Sequence, residues 1–198
     1  EIDAKLTEEQ MNLLSKAYHE IVCSYRDIIE KINEPHKKAD EYKQYKQFYI
    51  EKLDFYCNDF ISLIESKLEN QENEKKLKIL FLKLKADYSR YLIEYLLKSQ
   101  QCLMYEKISY FYQNAMNLSL SLACYDELYL KVVLNYSLFL HDIVGKKNEG
   151  LDLLRNCFNS ATNELFSYIC IDPYPSNSVD ILRHMEEVYH DWMDEMGK

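Results

Sequence analysis

His19 and Arg26 stand seven residues apart, two turns of a helix, so they share a face if that segment is helical. Lys83 and Arg90 repeat the spacing later in the chain, with Asp87 between them and the phenol of Tyr91 beside Arg90. A third set, Asn135, Leu138 and Asp142, falls at i, i+3 and i+7. Guanidinium, ammonium, phenol and amide groups are the donors that hold an oxyanion and the chain beside it. Read alone, each set is the ordinary make-up of a solvated helix face. Read together, they permit a small basic, hydroxyl-bearing pocket in an otherwise acidic chain. Such a pocket would select one doubly charged phosphate over a polyanion.

Other chemistries find less support. A carboxylate-bridged metal centre in a helical bundle needs two Glu-x-x-His pairs and two further Glu, and the chain offers one match, Glu187 to His190, with no His-Glu-x-x-His. No metal site and no cofactor is therefore expected. Cys157 or Cys170 as a nucleophile would need a nearby imidazole and an orienting acid, and no local signature supplies them. With three Gly, the sequence has no phosphate-cradling loop either. No enzymatic activity is expected.

The 198 residues carry 24 Lys+Arg against 33 Asp+Glu, a formal net charge of −9. That balance argues against nucleic acid, whose binding draws on cations neutralising phosphates. The Lys37 to Lys46 stretch is interrupted by Asp40 and Glu41 and reads as a solvated face. Aromatic residues make up 14% of the chain, 18 of them Tyr, too many for a disordered tail. The six cysteines form no Cys-x-x-Cys pair and read as reduced thiols, which points to a cytoplasmic or nuclear protein. Asn117-Leu-Ser and Asn135-Tyr-Ser match the glycosylation pattern but lie in helical runs and are discounted. No apolar run reaches the length of a membrane span; Tyr91 to Leu97 is broken by Glu94. Residues 1–10 carry no signal-peptide pattern, and since residue 1 is Glu, an N-terminal portion is expected to be missing.

These side chains need rigid elements to position them. Between Pro35 and Gly145 the chain has neither Gly nor Pro, so long helices are the economical reading. Thr7 with Glu8, Glu9 and Gln10 behind it is a capping-box start, with Leu13, Leu14, Ala17, Ile21, Ile28 and Ile32 as the apolar stripe until Pro35 ends the helix. A second helix covers about Ala39 to Leu68, striped by Phe48, Leu53, Tyr56, Phe60 and Ile64, with a break at Asn70 to Asn73. The third, Glu74 to Leu97, carries Leu77, Leu80, Leu84, Tyr88, Leu92 and Tyr95. Further helices are predicted at Met104 to Leu122, Asp126 to Val144, Glu149 to Phe166 and Ser178 to Met196, with Asp172-Pro-Tyr-Pro as the one Pro-rich loop. The expectation is an all-α fold, one domain over 1–198, built as an antiparallel array of seven helices with a concave face.

Six blocks of this sequence resemble the 14-3-3 family. They are Asn12-Leu-Leu-Ser-Lys-Ala-Tyr18 with Arg26; Tyr49-Ile-Glu-Lys52 with Cys57-Asn-Asp59; Leu82 to Leu92; Tyr112-Gln-Asn-Ala115; Leu134 to Phe139; and Ala161-Thr-Asn-Glu-Leu165 before the helix with Trp192. The resemblance implies seven helices equivalent to the third through ninth of the family's nine. It also implies an amphipathic groove that docks phosphoserine or phosphothreonine proteins without catalysis. Arg26, Arg90 and Tyr91 fall where the family grips phosphate, and Lys83 where a basic side chain lines the groove. Asn135 falls where an amide clamps the peptide main chain, and Leu134, Leu138, Ile181 and Trp192 at or near the apolar wall. Asp142 would orient Arg26 or Arg90 as a supporting carboxylate, the alternative being a simple exposed acid.

Departures from the family pattern matter as much. His19 stands at a phosphate-contacting position usually held by Lys, and Glu30 where Arg is usual. Val188 replaces a second clamping Asn, and His184 an apolar wall residue. These changes predict altered affinity or motif preference, and they keep open a second reading, a helical scaffold for unphosphorylated partners. A homodimer is expected if the family's first two helices precede this sequence.

Overall fold

The computed structural model describes residues 7–32, 39–68, 75–96, 98–167 and 176–197, and all regular structure among them is helical. Seven α-helices follow in order: α1 (Glu8–Ile32), α2 (Ala39–Leu68), α3 (Lys75–Leu92), α4 (Lys98–Ser119), α5 (Glu127–Leu138), α6 (Lys147–Ser167) and α7 (Ser176–Met196). A 3-10 turn, Ile93–Tyr95, follows α3, and a π-helical turn, Phe139–Val144, follows α5. The expected stop at Pro35, the break at Asn70 to Asn73, the Asp172-Pro-Tyr-Pro loop and Cys170 lie outside the described residues. The chain forms two compact units, Glu1–Ile108 and Ser109–Lys198.

In the first unit, α1 packs on α2 and α2 on α3. The capping box forms as expected: the Thr7 N–H donates to Gln10 Oε1 at 3.0 Å, and the Gln10 N–H to Thr7 Oγ1 at 3.2 Å. At the centre, Phe60 of α2 lies between Tyr18 of α1 and Tyr88 of α3, with ring centroids 4.7 and 4.2 Å apart. The polar tips are satisfied: Tyr88 donates to the Ser15 carbonyl at 3.0 Å and Tyr18 to Asp59 at 2.5 Å.

The buried face of α1 differs from the expected one. Met11, Val22 and Ile29 are fully buried, whereas Leu13 is 70% exposed and Ile21 lies at the surface. Both stripes have helical spacing, and the aromatic centre selects the one that continues Tyr18. Phe48 of α2 is likewise exposed, while Leu53, Cys57, Phe60 and Ile64 are buried. On α3 the expected stripe is correct from Leu77 to Leu92, with Ile79, Phe81 and Ala86 buried on its flanks, while Tyr95 falls in the 3-10 turn and is half-buried. That helix ends at Leu92 rather than Leu97, and α4 begins before the expected Met104.

In the second unit, α5, α6 and α7 share a core of Leu130, Val133, Leu134, Leu151, Leu154, Cys157, Ala161, Leu182, Met185 and Trp192. Asp126 caps α5 by accepting the Leu128 N–H at 2.9 Å. Gly145 ends the π turn at φ 78, the left-handed conformation that favours glycine. Gly150 lets α6 approach α5 closely: a Cβ there would lie 2.8 Å from the Ser137 carbonyl and 3.0 Å from His141 Cβ.

Candidate functional site

Helical periodicity lines up His19, Cys23, Arg26 and Glu30 along one side of α1. The end of α3 presents Arg90 and Tyr91, and the 3-10 turn adds Glu94 and Tyr95. The two sets meet on the Tyr91 ring. The Arg26 guanidinium carbon lies 5.2 Å from its centroid and that of Arg90 5.6 Å, so the guanidinium carbons are separated by no more than the sum of those distances. The Tyr91 hydroxyl is 3.3 Å from His19 Nδ1, and Cys23 Sγ is 3.4 Å from His19 Nε2. The four expected phosphate-binding residues, Arg26, Arg90, Tyr91 and His19, are thus neighbours drawn from two helices.

Burial raises the Tyr91 phenol to about 12, and the Asp87 carboxylate adds to the rise while Arg90 opposes it. It therefore stays a neutral donor near neutral pH. Arg26 Nη2 reaches Glu94 Oε1 at 3.4 Å, and the same guanidinium bonds the Tyr95 side chain. The buried Nε of Arg26 has no hydrogen-bond partner among the described residues. Beside it opens a cavity of about 430 Å³ lined by Cys23, Arg26, Asp27, Glu30, Lys46, Glu94 and Tyr95. Glu30 stands in that lining with two further carboxylates. Sequence reasoning missed Asp27, Glu94 and Tyr95 here, and read Lys46 as part of a solvated stretch.

Lys83 is placed differently from its neighbours. Its ammonium binds Asp87 at 2.6 Å, and the two side chains are only 12% and 6% exposed. Lys83 and Asp87 therefore form a covered ion pair, with Lys83 committed to an internal carboxylate, while Arg90 one turn further on is half-exposed.

The expected peptide-contacting residues of the second unit also gather. Leu134 and Trp192 belong to its core, with Leu138, Ile181 and Val188 half-buried against it and Asn135 half-buried on α5. The Trp192 indole stacks on His141 at 3.9 Å and 11°, and His141 Nδ1 lies 2.6 Å from Asp142 Oδ1. Asp142 is thus held by its chain neighbour, and the carboxylate that reaches Arg26 within the first unit is Glu94. His141 escaped sequence reasoning, because nothing in its spacing marks it as the partner of the one tryptophan. His184 is exposed, 3.5 Å from Glu187.

Among the described residues no three His, Cys, Asp or Glu side chains form a group that could hold a metal ion. None of the described helices is long and apolar enough to cross a membrane.

A family model described as 14-3-3 protein matches residues 1–192. The chain is 28% identical over 173 residues to 14-3-3-like protein 2 of Caenorhabditis elegans, covering 83% of this chain and 70% of that protein. It is 30% identical over 171 residues to 14-3-3 protein 4 of Solanum lycopersicum, with 81% and 66% covered. It is 28% identical over 169 residues to 14-3-3 protein beta/alpha of Pongo abelii, with 81% and 69% covered. The chain thus spans about two thirds of the length of these relatives.

Proposed function

The chain belongs to the 14-3-3 family, and on that premise we propose that it is a non-enzymatic adaptor that docks client proteins by their phosphoserine or phosphothreonine. Family membership supports client binding in general. The observation that carries the phosphate requirement is the convergence of Arg26 and Arg90 on the ring of Tyr91, whose protonated hydroxyl is a third donor. Charge-assisted bonds of this kind contribute about 1.5 to 3 kcal/mol each, and an unphosphorylated serine forms none of them.

In this reading Asn135 clamps the main chain of the bound peptide, and Leu138, Ile181 and Val188 serve its apolar flanks, with Leu134 and Trp192 packed behind them in the core rather than in contact with it; that half rests on the family resemblance. His19, Glu30, Val188 and His184 lower the affinity or shift the motif. Lys83, already paired with Asp87, contributes less than the two arginines. A homodimer through helices outside this sequence belongs to the same reading, and sedimentation of the full-length product measures it.

Fluorescence polarisation with a labelled pool of phosphoserine peptides tests the proposal. Saturable binding is expected, abolished by Arg90→Ala and absent with the dephosphorylated pool. Equal binding of the dephosphorylated pool would favour the second reading, a scaffold for unphosphorylated partners, which the carboxylate already on Arg26 also supports.

A further inference from the structure

We propose that Glu94 is a specificity-determining residue of this site: an internal carboxylate on Arg26 that a phosphate dianion displaces and a carboxylate ligand does not. The inference rests on the phosphopeptide reading and adds a charge threshold to it.

At Leu92 the α3 helix gives way to the 3-10 segment Ile93–Tyr95, which sets Glu94 and Tyr95 in the wall of the cavity beside Arg26. Glu94 Oε1 then lies 3.4 Å from Arg26 Nη2, with side chains 55% and 34% exposed. Charge-assisted N–H···O bonds are usually about 2.7 to 2.9 Å, so this contact is loose and solvent-screened. It occupies the cation without locking it. Asp27 and Glu30 line the same cavity, with Lys46 as its one other cation, so around Arg26 three carboxylates face two cations and a ligand meets a field already supplied with negative charge.

Exchange on Arg26 follows from counting groups. A carboxylate ligand replaces Glu94 by another carboxylate, gaining little while facing Asp27 and Glu30. A phosphate dianion carries more charge and three acceptor oxygens. It can engage Arg26 and the Arg90 and Tyr91 donors around the same ring, and so gains bonds that Glu94 alone does not make. The site therefore discriminates phosphorylated serine from acidic side chains as well as from plain serine. An opening that admitted aspartate or glutamate would bind much of an acidic proteome.

The test uses one labelled peptide pool with randomised flanks and a fixed central residue: phosphoserine, glutamate or serine. Each is titrated by fluorescence polarisation against the wild-type chain, Glu94→Gln, and Glu106→Gln, which removes the same charge from an exposed position on α4. Wild type is expected to bind only the phosphoserine pool. Glu94→Gln should bind that pool about two- to fivefold tighter, the range set by one exposed ion pair, and give measurable binding of the glutamate pool. Glu106→Gln should behave as wild type. Unchanged or weaker binding by Glu94→Gln, with wild type binding the phosphoserine pool, overturns this inference alone, as does an equal gain in Glu106→Gln. Absence of phosphoserine binding in both wild type and Glu94→Gln overturns the phosphopeptide reading and this inference with it.

Discussion

Lys83 and Asp87 show what the loss of one charge costs when its partner is covered. At 2.6 Å and with little exposure, the pair offsets the desolvation of both groups only while both are present. Asp87→Asn is expected to destabilise the chain by about 3 kcal/mol or more, because it leaves a largely buried ammonium uncompensated. Lys83→Met with Asp87→Leu should recover most of that loss, and urea unfolding of the three proteins measures both effects. The spacing of Lys83, Asp87 and Arg90 was legible in the sequence, as was the placing of Arg26, Arg90 and Tyr91 by the resemblance. The burial of Lys83 was not, since a charged stripe reads alike whether solvent or a carboxylate answers it. Glu94 was equally hidden, because within Tyr91 to Leu97 it looked only like an interruption of an apolar run.

At the scale of elements, the strongest local signals were those with a fixed chemical partner. Thr7 with Gln10 and Asp126 at the start of α5 cap their helices as their side chains require. The face of α1 was not legible, because Leu13 and Ile21 compete with Met11, Val22 and Ile29 at the same periodicity, and only the ring of Phe60 decides. The π turn at Phe139–Val144 also lacks a sequence signature, since it changes backbone pairing and not residue type. Its consequence is local: His141 is turned onto Trp192, and Gly150 of α6 fits against His141 and Ser137. Gly150→Ala must displace a backbone carbonyl at 2.8 Å, so a cost of about 1 to 3 kcal/mol is expected, read as a lower midpoint in thermal melts.

For the whole molecule, the tyrosines set a limit on the alkaline side. Tyr18 is raised to about 12 chiefly by its bond to Asp59, and Tyr91 to about 12 by burial; Tyr88 is raised further by burial, against an ordinary value of 10.0. Each folded phenol keeps its proton where the unfolded one has lost it. Stability is therefore complete below about pH 10 and falls as pH climbs toward 12, since the unfolded state binds fewer protons there. All three phenols belong to the first unit. Loss of far-UV circular dichroism across that range is the expected outcome, and a flat signal to pH 12 would contradict the raised phenols of Tyr88 and Tyr91.

The chain has one tryptophan, and it is sealed against His141 in the second unit. Its emission is therefore an optical tag on that unit alone, while the alkaline strain originates among phenols of the other. A single cooperative domain would carry the strain to the indole, and its emission would shift red at the same pH at which ellipticity is lost. Two separate midpoints would make the boundary near Ile108 a thermodynamic seam, with each half melting on its own.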